Sequence, residues 1–146
     1  MRKIILQNKT ILVTGSAGFI GSNLVLELLK SQSSVNIIGI DNMNDYYDVS
    51  IKQWRLSEID KCAKNHVDNT YTFIKGDISD KTIIEHIFTK YKPAIVVNLA
   101  AQAGVRYSIT TPDAYIQSNL IGFYNILEAC RHSYDNGESG VEHLVY

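Results

Sequence analysis

The chain has 146 residues, of which 45% are hydrophobic, and its formal net charge is −1 at pH 7. These values suit one domain with a sizeable core, and the scattered, balanced charges argue against binding to nucleic acid or to a membrane surface. No apolar run approaches the roughly 20 residues that span a bilayer, and residues 1–8 lack the apolar stretch of a signal peptide, so we expect a cytoplasmic protein.

The cysteines and histidines do not have the spacing of a metal site. Cys62 and Cys130 stand far apart in helical patterns, which predicts reduced packing residues. The four histidines are dispersed, at positions 66, 86, 132 and 143. We therefore expect no metal centre.

The first predicted strand, Ile11-Leu12-Val13, leads into a turn with three glycines and then into a helix. Gly15 permits a tight turn, Gly18 allows the backbone to approach phosphate groups, and Gly21 allows the helix to pack closely on the strand. The helix would direct unpaired N–H groups at an anion. The alternative is an ordinary turn that requires small residues. We predict that this turn binds pyrophosphate through five residues: Gly15, Gly18, Phe19, Ile20 and Gly21.

The second predicted strand, residues 35–40, ends at Asp41, twenty positions after Gly21. A carboxylate at this place can accept hydrogen bonds from both hydroxyls of the adenosine ribose, and it would repel a 2′-phosphate. We therefore predict a site for NAD rather than NADP, with Asn42 beside Asp41. An ordinary aspartate of a turn or helix cap is the alternative.

The rest of the chain continues to alternate between strands and helices. Further strands are predicted at residues 71–76, 94–99 and 141–146, and further helices at residues 50–65, 80–91 and 112–132. Asp48 or Ser50 would cap the first of these helices, and Thr111 with Pro112 would start the last. Apolar residues recur at helical spacing in the helix after the glycines, at positions 19, 20, 24, 25, 28 and 29. The last helix would bury Ile116, Leu120, Phe123, Leu127 and Cys130.

This alternation predicts an α/β fold with a doubly wound parallel sheet in the strand order 3-2-1-4-5. Ligands bind such a sheet at the carboxyl ends of strands 1 and 4, where the winding reverses. The fifth strand is the last predicted element. We therefore expect residues 1–146 to be the N-terminal part of a Rossmann domain, truncated at about the fifth strand and without a substrate domain.

Four segments resemble the extended short-chain dehydrogenase/reductases: TGSAGFIGSNL at 14–24, DNMNDYYDVSIKQWRL at 41–56, GDISD at 76–80, and the stretch at 98–132. The second and fourth segments are most similar to those of NAD-dependent nucleotide-sugar epimerases, in particular the UDP-glucuronate 4-epimerases. The resemblance implies a longer protein that is an isomerase, binds NAD and a UDP-sugar, and forms a homodimer.

The resemblance also implies cofactor contacts after the third and fourth strands. The Asp77 carboxylate would accept a hydrogen bond from the adenine amino group beside the Ile78 backbone, or would instead cap the following helix. Ser118 and Asn119 would approach the nicotinamide half or brace the neighbouring strand. The ribose and pyrophosphate would lie against a loop of mostly small residues: Leu99, Ala100, Ala101 and Gln102.

Arg106 and Ser108 are implied to bind the substrate. The guanidinium could hold a sugar carboxylate or a phosphate through two hydrogen bonds, and a solvated or loop-bracing arginine is the alternative. Tyr46 and Tyr47 would either cover the adenosine or the sugar, or do neither.

The family places a tyrosine and a lysine in a Tyr-x-x-x-Lys arrangement on a helix, where they support a transient oxidation at the sugar C4 hydroxyl. In this chain only Tyr71 and Lys75 have that spacing, and they lie in a predicted strand. We therefore assign no catalytic residue and expect the chain alone to be inactive. Two other functions remain open: a nucleotide-sugar 4,6-dehydratase, and a non-enzymatic NAD-binding or sensing module.

Overall fold

The sheet has the predicted architecture. The computed structural model describes residues 4–137 and 139–146, so residues 1–3 of the predicted domain and residue 138 of the loop before the last strand lie outside the described residues. Within them, parallel strands pair in the order β3-β2-β1-β4-β5. The strands are β1 (Thr10–Thr14), β2 (Asn36–Asp41), β3 (Thr70–Lys75), β4 (Ile95–Asn98) and β5 (His143–Val145). The predicted doubly wound α/β sheet is confirmed.

Helices connect successive strands. They are α1 (Phe19–Ser31), α2 (Val49–Asn65), α3 (Lys81–Tyr91), α4 (Tyr107–Thr110), α5 (Pro112–Tyr115) and α6 (Phe123–His132). A π-helical segment (Ile116–Gly122) joins α5 to α6, and a 3-10 turn (Asp135–Gly137) follows α6. No helix among the described residues combines the length and apolar character needed to cross a membrane.

Helices cover both faces of the central strands, and alternate side chains of each strand point to opposite faces of the sheet. On one face, Ile11 and Val13 pack in a cluster that includes Leu29 of α1 and Ile59 of α2. On the other face, Leu12 packs in a cluster with residues of α3 and α6. The continuous apolar strands of the sequence therefore have the burial expected of a parallel sheet covered on two sides.

Local hydrogen bonds explain where two of the helices begin. The Asp48 carboxylate accepts from the backbone N–H of Ser50 at the start of α2, and the Asp80 carboxylate accepts from the N–H groups of Thr82 and Ile83 at the start of α3. Each bond satisfies a donor that the helix itself leaves unpaired.

The beginning of the last helical region differs in part from the prediction. Pro112 occupies the predicted place in the first turn of α5. Thr111 is the N-cap residue, as predicted, but its side chain makes no capping hydrogen bond to the helix. The short helix α4 before it was not predicted.

The predicted apolar stripe of residues 112–132 is also wrong. The region is not one α-helix, because the π-helical segment places i→i+5 hydrogen bonds in its middle and so changes which side chains face the sheet. Its buried residues are Gly122, Asn125 and Ile126. Of the predicted stripe, Phe123 and Cys130 are half-buried, whereas Ile116, Leu120 and Leu127 are exposed.

Candidate cofactor site

The glycine turn between β1 and α1 has little room for a side chain at any of its three glycine positions. Gly15 has φ +66°, in the left-handed region that favours glycine, and a Cβ there would lie 2.9 Å from the backbone nitrogen of Ala100. A Cβ on Gly21 would lie 2.2 Å from the carbonyl oxygen of Gly15, and one on Gly18 would lie 3.0 Å from the same oxygen. The structure thus gives a steric reason for each glycine of the motif.

The first turn of α1 leaves its backbone N–H groups without a side-chain cap. Gly18 is the N-cap residue and, having no side chain, makes no capping bond to the first N–H groups of the helix. Phe19 and Ile20 follow it, with side chains that are 71% and 66% exposed. Their backbone N–H groups remain at the positive end of a 13-residue helix, where an anion is stabilised.

The Asp41 carboxylate lies at the end of β2 beside this turn and is 8% exposed. One oxygen accepts from the Ala17 N–H at 3.1 Å, and the other accepts from the Met43 N–H at 2.9 Å and lies 3.5 Å from the Lys52 Nζ. A carboxylate has about four acceptor positions, so these contacts leave capacity for a further donor. Asp41 therefore ties the glycine turn to the β2–α2 loop and still suits a ribose hydroxyl.

Asp77 follows β3 and lines the crevice beside Asn42, the neighbour of Asp41. Its carboxylate accepts from the Asn42 side-chain nitrogen at 2.8 Å and from the N–H and the hydroxyl of Ser79. Burial alone would raise the pKa of Asp77, but these hydrogen bonds outweigh it and hold that pKa below its usual value. The cap of the following helix is Asp80, so the alternative role of Asp77 as that cap is wrong.

The loop after β4 is fixed by a buried threonine. The Thr14 hydroxyl donates to the Asn98 side-chain oxygen at 2.6 Å and accepts from the N–H groups of Leu99 and Ala100 at 3.1 and 3.0 Å. Thr14 lies at the end of β1, adjacent to β4 in the sheet. The contact holds the loop against the glycine turn.

Asn119 braces the same loop from the π-helical segment. Its side-chain oxygen accepts from the Gln102 N–H at 2.8 Å, and its side-chain nitrogen donates to the Gln102 carbonyl at 3.0 Å. The structure thus shows a bracing role for Asn119, on the loop after β4 rather than on the neighbouring strand itself. Ser118, its neighbour, lines the crevice.

These elements enclose a crevice at the carboxyl ends of β1 and β4, the place predicted for ligand binding. Most of the predicted cofactor residues line it: Gly15, Gly18, Asp41, Asn42, Asp77, Ile78, Leu99, Ala100, Ala101, Gln102 and Ser118. Phe19, Ile20 and Gly21 do not line it and contribute backbone beside it. The arrangement is a glycine turn at a helix N-terminus, with the carboxylates of Asp41 and Asp77 lining the same crevice, which fits a dinucleotide.

The predicted substrate residues lie outside this crevice. Arg106 is exposed just before α4, and Ser108 lies within that helix, where its hydroxyl donates to the Val105 carbonyl at 2.6 Å. The structure therefore brings the cofactor residues together but does not bring Arg106 and Ser108 to them.

The sequence did not indicate that Lys52 is a site residue, and it left open whether Tyr46 covers the site. Lys52 lines the crevice and is buried beside Asp41, eleven residues earlier in the chain. Tyr46 also lines the crevice, and its ring packs on Tyr107 with centroids 5.0 Å apart, so the β2–α2 loop touches the segment after β4. A lysine within a helix is normally exposed, and only its pairing with Asp41 could have indicated this role.

The described residues do not gather three or more His, Cys, Asp or Glu side chains into a possible metal site. Cys62 is buried in the core and Cys130 is half-buried, and both are free thiols.

Comparisons with known proteins agree with this geometry. Protein CapI of Staphylococcus aureus is 46% identical over 93% of this chain and 36% of its own length. UDP-glucuronate 4-epimerase of Thermodesulfobacterium geofontis is 40% identical over 92% of this chain and 37% of its own length. The chain thus spans little more than a third of these curated relatives.

A solved structure shares the fold. It is a variant of UDP-glucuronic acid 4-epimerase from Bacillus cereus, in complex with UDP-4-deoxy-4-fluoro-glucuronic acid and NAD. It matches with a TM-score of 0.73 and 30% identity over 92% of this chain and 37% of that one. The family model described as GDP-mannose 4,6 dehydratase matches residues 12–142. The chain therefore belongs to the GDP-mannose 4,6-dehydratase family, and its resemblance to the NAD-dependent UDP-glucuronate 4-epimerases is confirmed.

Proposed function

We propose that this chain is the cofactor-binding part of an NAD-dependent UDP-sugar 4-epimerase that acts on a UDP-uronic acid through transient oxidation at C4. The observation that carries the proposal is the glycine turn, in which a Cβ on Gly21 would lie 2.2 Å from a backbone oxygen. Such a turn keeps the start of α1 open to a pyrophosphate group. The likeness to UDP-glucuronate 4-epimerases supports the substrate class.

In this proposal different residues of the crevice hold different parts of NAD. The glycine turn and the first N–H groups of α1 bind the pyrophosphate, Asp41 binds the adenosine ribose, and Asp77 with Asn42 lies at the adenine. The Leu99–Gln102 loop and Ser118 flank the nicotinamide half. When bound, NAD supplies reversible hydride chemistry, whereas the residues of this chain bind and orient it.

The exposed guanidinium of Arg106 supports the proposal that the substrate is an anion. Within residues 4–137 and 139–146 its guanidinium is exposed and makes no hydrogen bond or ion pair, so its donors are available to a carboxylate or phosphate. We assign the sugar nucleotide to the side of the crevice on which Arg106 and Ser108 lie.

A nucleotide-sugar 4,6-dehydratase is the second candidate, and the match of residues 12–142 to the GDP-mannose 4,6-dehydratase family model favours it. The two activities give different products. An epimerase converts UDP-glucuronate to its C4 epimer at constant mass, whereas a dehydratase removes water from a neutral 6-hydroxy sugar.

We also infer that the longer protein is a homodimer. Large apolar side chains are exposed every three or four residues from the π-helical segment into α6: Ile116, Leu120, Tyr124 and Leu127. Exposed apolar patches of this kind commonly mark a protein interface.

To test the function, the full-length protein is incubated with UDP-glucuronate, UDP-glucose or GDP-mannose. The products are separated by chromatography, and their masses are measured by mass spectrometry. We expect the C4 epimer of UDP-glucuronate. A product lighter by one water would favour the dehydratase, and no conversion of any of the three would contradict the enzymatic proposal. The 146-residue chain alone, assayed in parallel, should show no turnover.

A further inference from the structure

Three tyrosines from separate segments meet beside the cofactor crevice. Tyr46 belongs to the β2–α2 loop, Tyr107 begins α4 and Tyr115 ends α5. The ring centroids of Tyr46 and Tyr107 lie 5.0 Å apart at an interplanar angle of 53°, and those of Tyr107 and Tyr115 lie 6.3 Å apart at 47°. Tilted rings at these separations attract each other beyond the effect of the area that they bury. We call these three residues the tyrosine junction.

The backbone at Gly104 is shaped to fit the tyrosine junction. Gly104 has φ +100°, a conformation that favours glycine, and a Cβ there would overlap the Tyr46 hydroxyl oxygen. The Tyr115 hydroxyl donates to the Ala103 carbonyl at 2.9 Å and also contacts the Gly104 carbonyl. The same Gly104 carbonyl accepts from the Tyr107 N–H at 3.1 Å. All three tyrosines therefore contact the loop after β4.

The junction lies between the cofactor residues and the predicted substrate residues. Tyr46 and Ala103 line the crevice. On the other side of the junction, Tyr107 stands between Arg106 and Ser108 in the chain. A displacement of the Tyr46 ring therefore acts, through the Tyr107 ring, on the turn that carries both predicted substrate residues.

The loop that carries Tyr46 is tied to the predicted ribose carboxylate. The Met43 N–H donates to the Asp41 carboxylate at 2.9 Å. The Asn44 side-chain oxygen accepts from the ammonium of Lys52, which lies 3.5 Å from the same carboxylate. A ligand at Asp41 therefore acts on the segment from which the Tyr46 ring reaches Tyr107.

Neither of the segments to which Tyr46 and Tyr107 belong is anchored in the core. The structure describes all of residues 42–48 and 103–111, and none of them is buried. Segments with few buried contacts open at a low cost in free energy, so a ligand that contacts one state shifts them readily. The two states here are the rings in contact, as in this structure, and the rings apart.

We propose that Tyr46 and Tyr107 are positioning residues that couple occupancy of the cofactor crevice to the placement of Arg106 and Ser108. A ligand in the crevice favours the state with the rings in contact, because Tyr46 lines the crevice in that state. That state fixes the start of α4. Since such coupling is reciprocal, a sugar nucleotide held at α4 also strengthens cofactor binding. This inference rests on the proposed function, in which the crevice binds NAD and Arg106 meets an anionic substrate.

The test uses 5′-ADP, which carries the adenosine and the pyrophosphate of NAD but lacks the nicotinamide half. Amide NMR spectra of the 146-residue chain are recorded during the titration. In wild type we expect shifts at Gly18, from direct binding, and at Arg106 and Ser108, through the junction. Because one binding event causes them, all three should follow the same dissociation constant.

Removal of either ring should break the link. In Tyr46→Leu, the shifts at Gly18 should remain, and those at Arg106 and Ser108 should be lost. Tyr107→Leu should cause the same loss, and it decides the proposal even where Tyr46→Leu fails to fold.

Two further variants separate the ring contact from other effects. Tyr46→Phe keeps the ring on Tyr107 and should retain all the wild-type shifts. Tyr124→Leu is the matched control, because Tyr124 is an exposed tyrosine of α6 outside the junction. It should also retain them, and a loss in this control would overturn the assignment to Tyr46 and Tyr107.

In the full-length protein, the link should affect substrate binding more than chemistry. Tyr46→Leu should raise KM for UDP-glucuronate by at least about fivefold, the lower end of ordinary coupling between two sites, with a much smaller change in kcat. Tyr46→Phe should restore the wild-type KM. An unchanged KM in Tyr46→Leu would overturn the positioning role.

The titration distinguishes this inference from the proposed function. Wild-type shifts at Gly18 without shifts at Arg106 and Ser108 would overturn the inference and leave the cofactor site intact. Shifts at Arg106 and Ser108 that persist in both leucine variants would do the same. The absence of shifts throughout the wild-type crevice would instead contradict the proposed function, and this inference with it.

Discussion

At the scale of single residues, the close contact between Gly21 and Gly15 defines the shape of the turn. A Cβ at position 21 would lie 2.2 Å from the Gly15 carbonyl oxygen and 2.9 Å from its carbonyl carbon. Both are backbone atoms and cannot rotate away as a flexible side chain could. The turn and the first turn of α1 therefore have to separate if a side chain is added.

Gly21→Ala should lower the free energy of unfolding by about 2–3 kcal/mol, as overpacking against backbone does. Urea denaturation measures the change. Glu27→Ala, an exposed position in the same helix, is the control and should change stability by less than about 0.5 kcal/mol. A Gly21→Ala variant as stable as wild type would show that the turn is not constrained in this way.

Tyr71 contributes a buried hydroxyl to the same region. Neither this hydroxyl nor the neighbouring Ser16 hydroxyl makes a well-formed hydrogen bond among the described residues, and burial, offset in part by Ser16, raises the pKa of Tyr71 to about 12. Because the folded-state pKa lies above the ordinary value of about 10, the unfolded state ionises first as pH rises. The stability linked to this tyrosine is therefore complete below pH 10 and decreases as pH rises through about 12.

Tyr71→Phe should remove that decrease and should cost little at neutral pH, because an unpaired buried hydroxyl contributes no hydrogen bond. Thermal unfolding of both proteins between neutral pH and the alkaline range measures the difference. A variant that loses stability with pH as steeply as wild type would contradict the prediction.

At the scale of elements, the π-helical segment places Asn119 where its side chain satisfies both backbone groups of Gln102. π-helical turns are rare and occur frequently at functional sites. Here the segment fixes the loop after β4, which forms one wall of the crevice.

Asn119→Ala should destabilise the chain by about 1–3 kcal/mol, because it leaves the Gln102 N–H and carbonyl without partners. Hydrogen exchange should accelerate at Gln102, whereas exchange in β1 should follow only the change in global stability. Gln117→Ala, an exposed position of the same segment, is the matched control. Unchanged exchange at Gln102 would contradict the bracing role.

The strands and their order follow from local patterns. The apolar run at Ile11–Val13 and the glycines after it are enough to predict β1 and the turn, because a parallel sheet buries strands on both faces. Asn125 shows why the last helix was harder to predict. Its side-chain nitrogen donates to the carbonyls of Ile78 and Ser79, so a polar residue occupies a buried position that an apolar periodicity cannot indicate.

The residues of the site also fall into two groups, those that the sequence indicated and those that it did not. Asp41 was identified from its place at the end of the second predicted strand, twenty positions after Gly21, and Asp77 from the resemblance to the epimerase family. Lys52 and Thr14 were not, since their roles arise from contacts across the fold: Lys52 pairs with Asp41, and Thr14 holds backbone N–H groups more than 80 residues away in sequence. Such contacts depend on the tertiary fold and produce no periodic pattern in the local sequence.

At the scale of the whole molecule, the exposed apolar side chains at 116, 120, 124 and 127 provide a test of self-association. Leu120 is 59% exposed, and a charge there would disrupt an apolar interface without entering the core. In the full-length protein, Leu120→Glu should shift the mass measured by light scattering from dimer toward monomer. Glu85→Gln, an exposed change on α3, should leave the mass unchanged. A dimer that persists in Leu120→Glu would place the interface elsewhere.

The central claim is that the crevice at the carboxyl ends of β1 and β4 binds NAD. Amide NMR spectra of the 146-residue chain, recorded during titration with NAD, test it most directly. We predict weak, saturable binding with the largest shifts at Gly15, Gly18, Asp77 and Ala100. The claim would be contradicted by the absence of shifts at millimolar NAD, or by the largest shifts falling in the groove between α3 and α6, at Phe88 and Ala129.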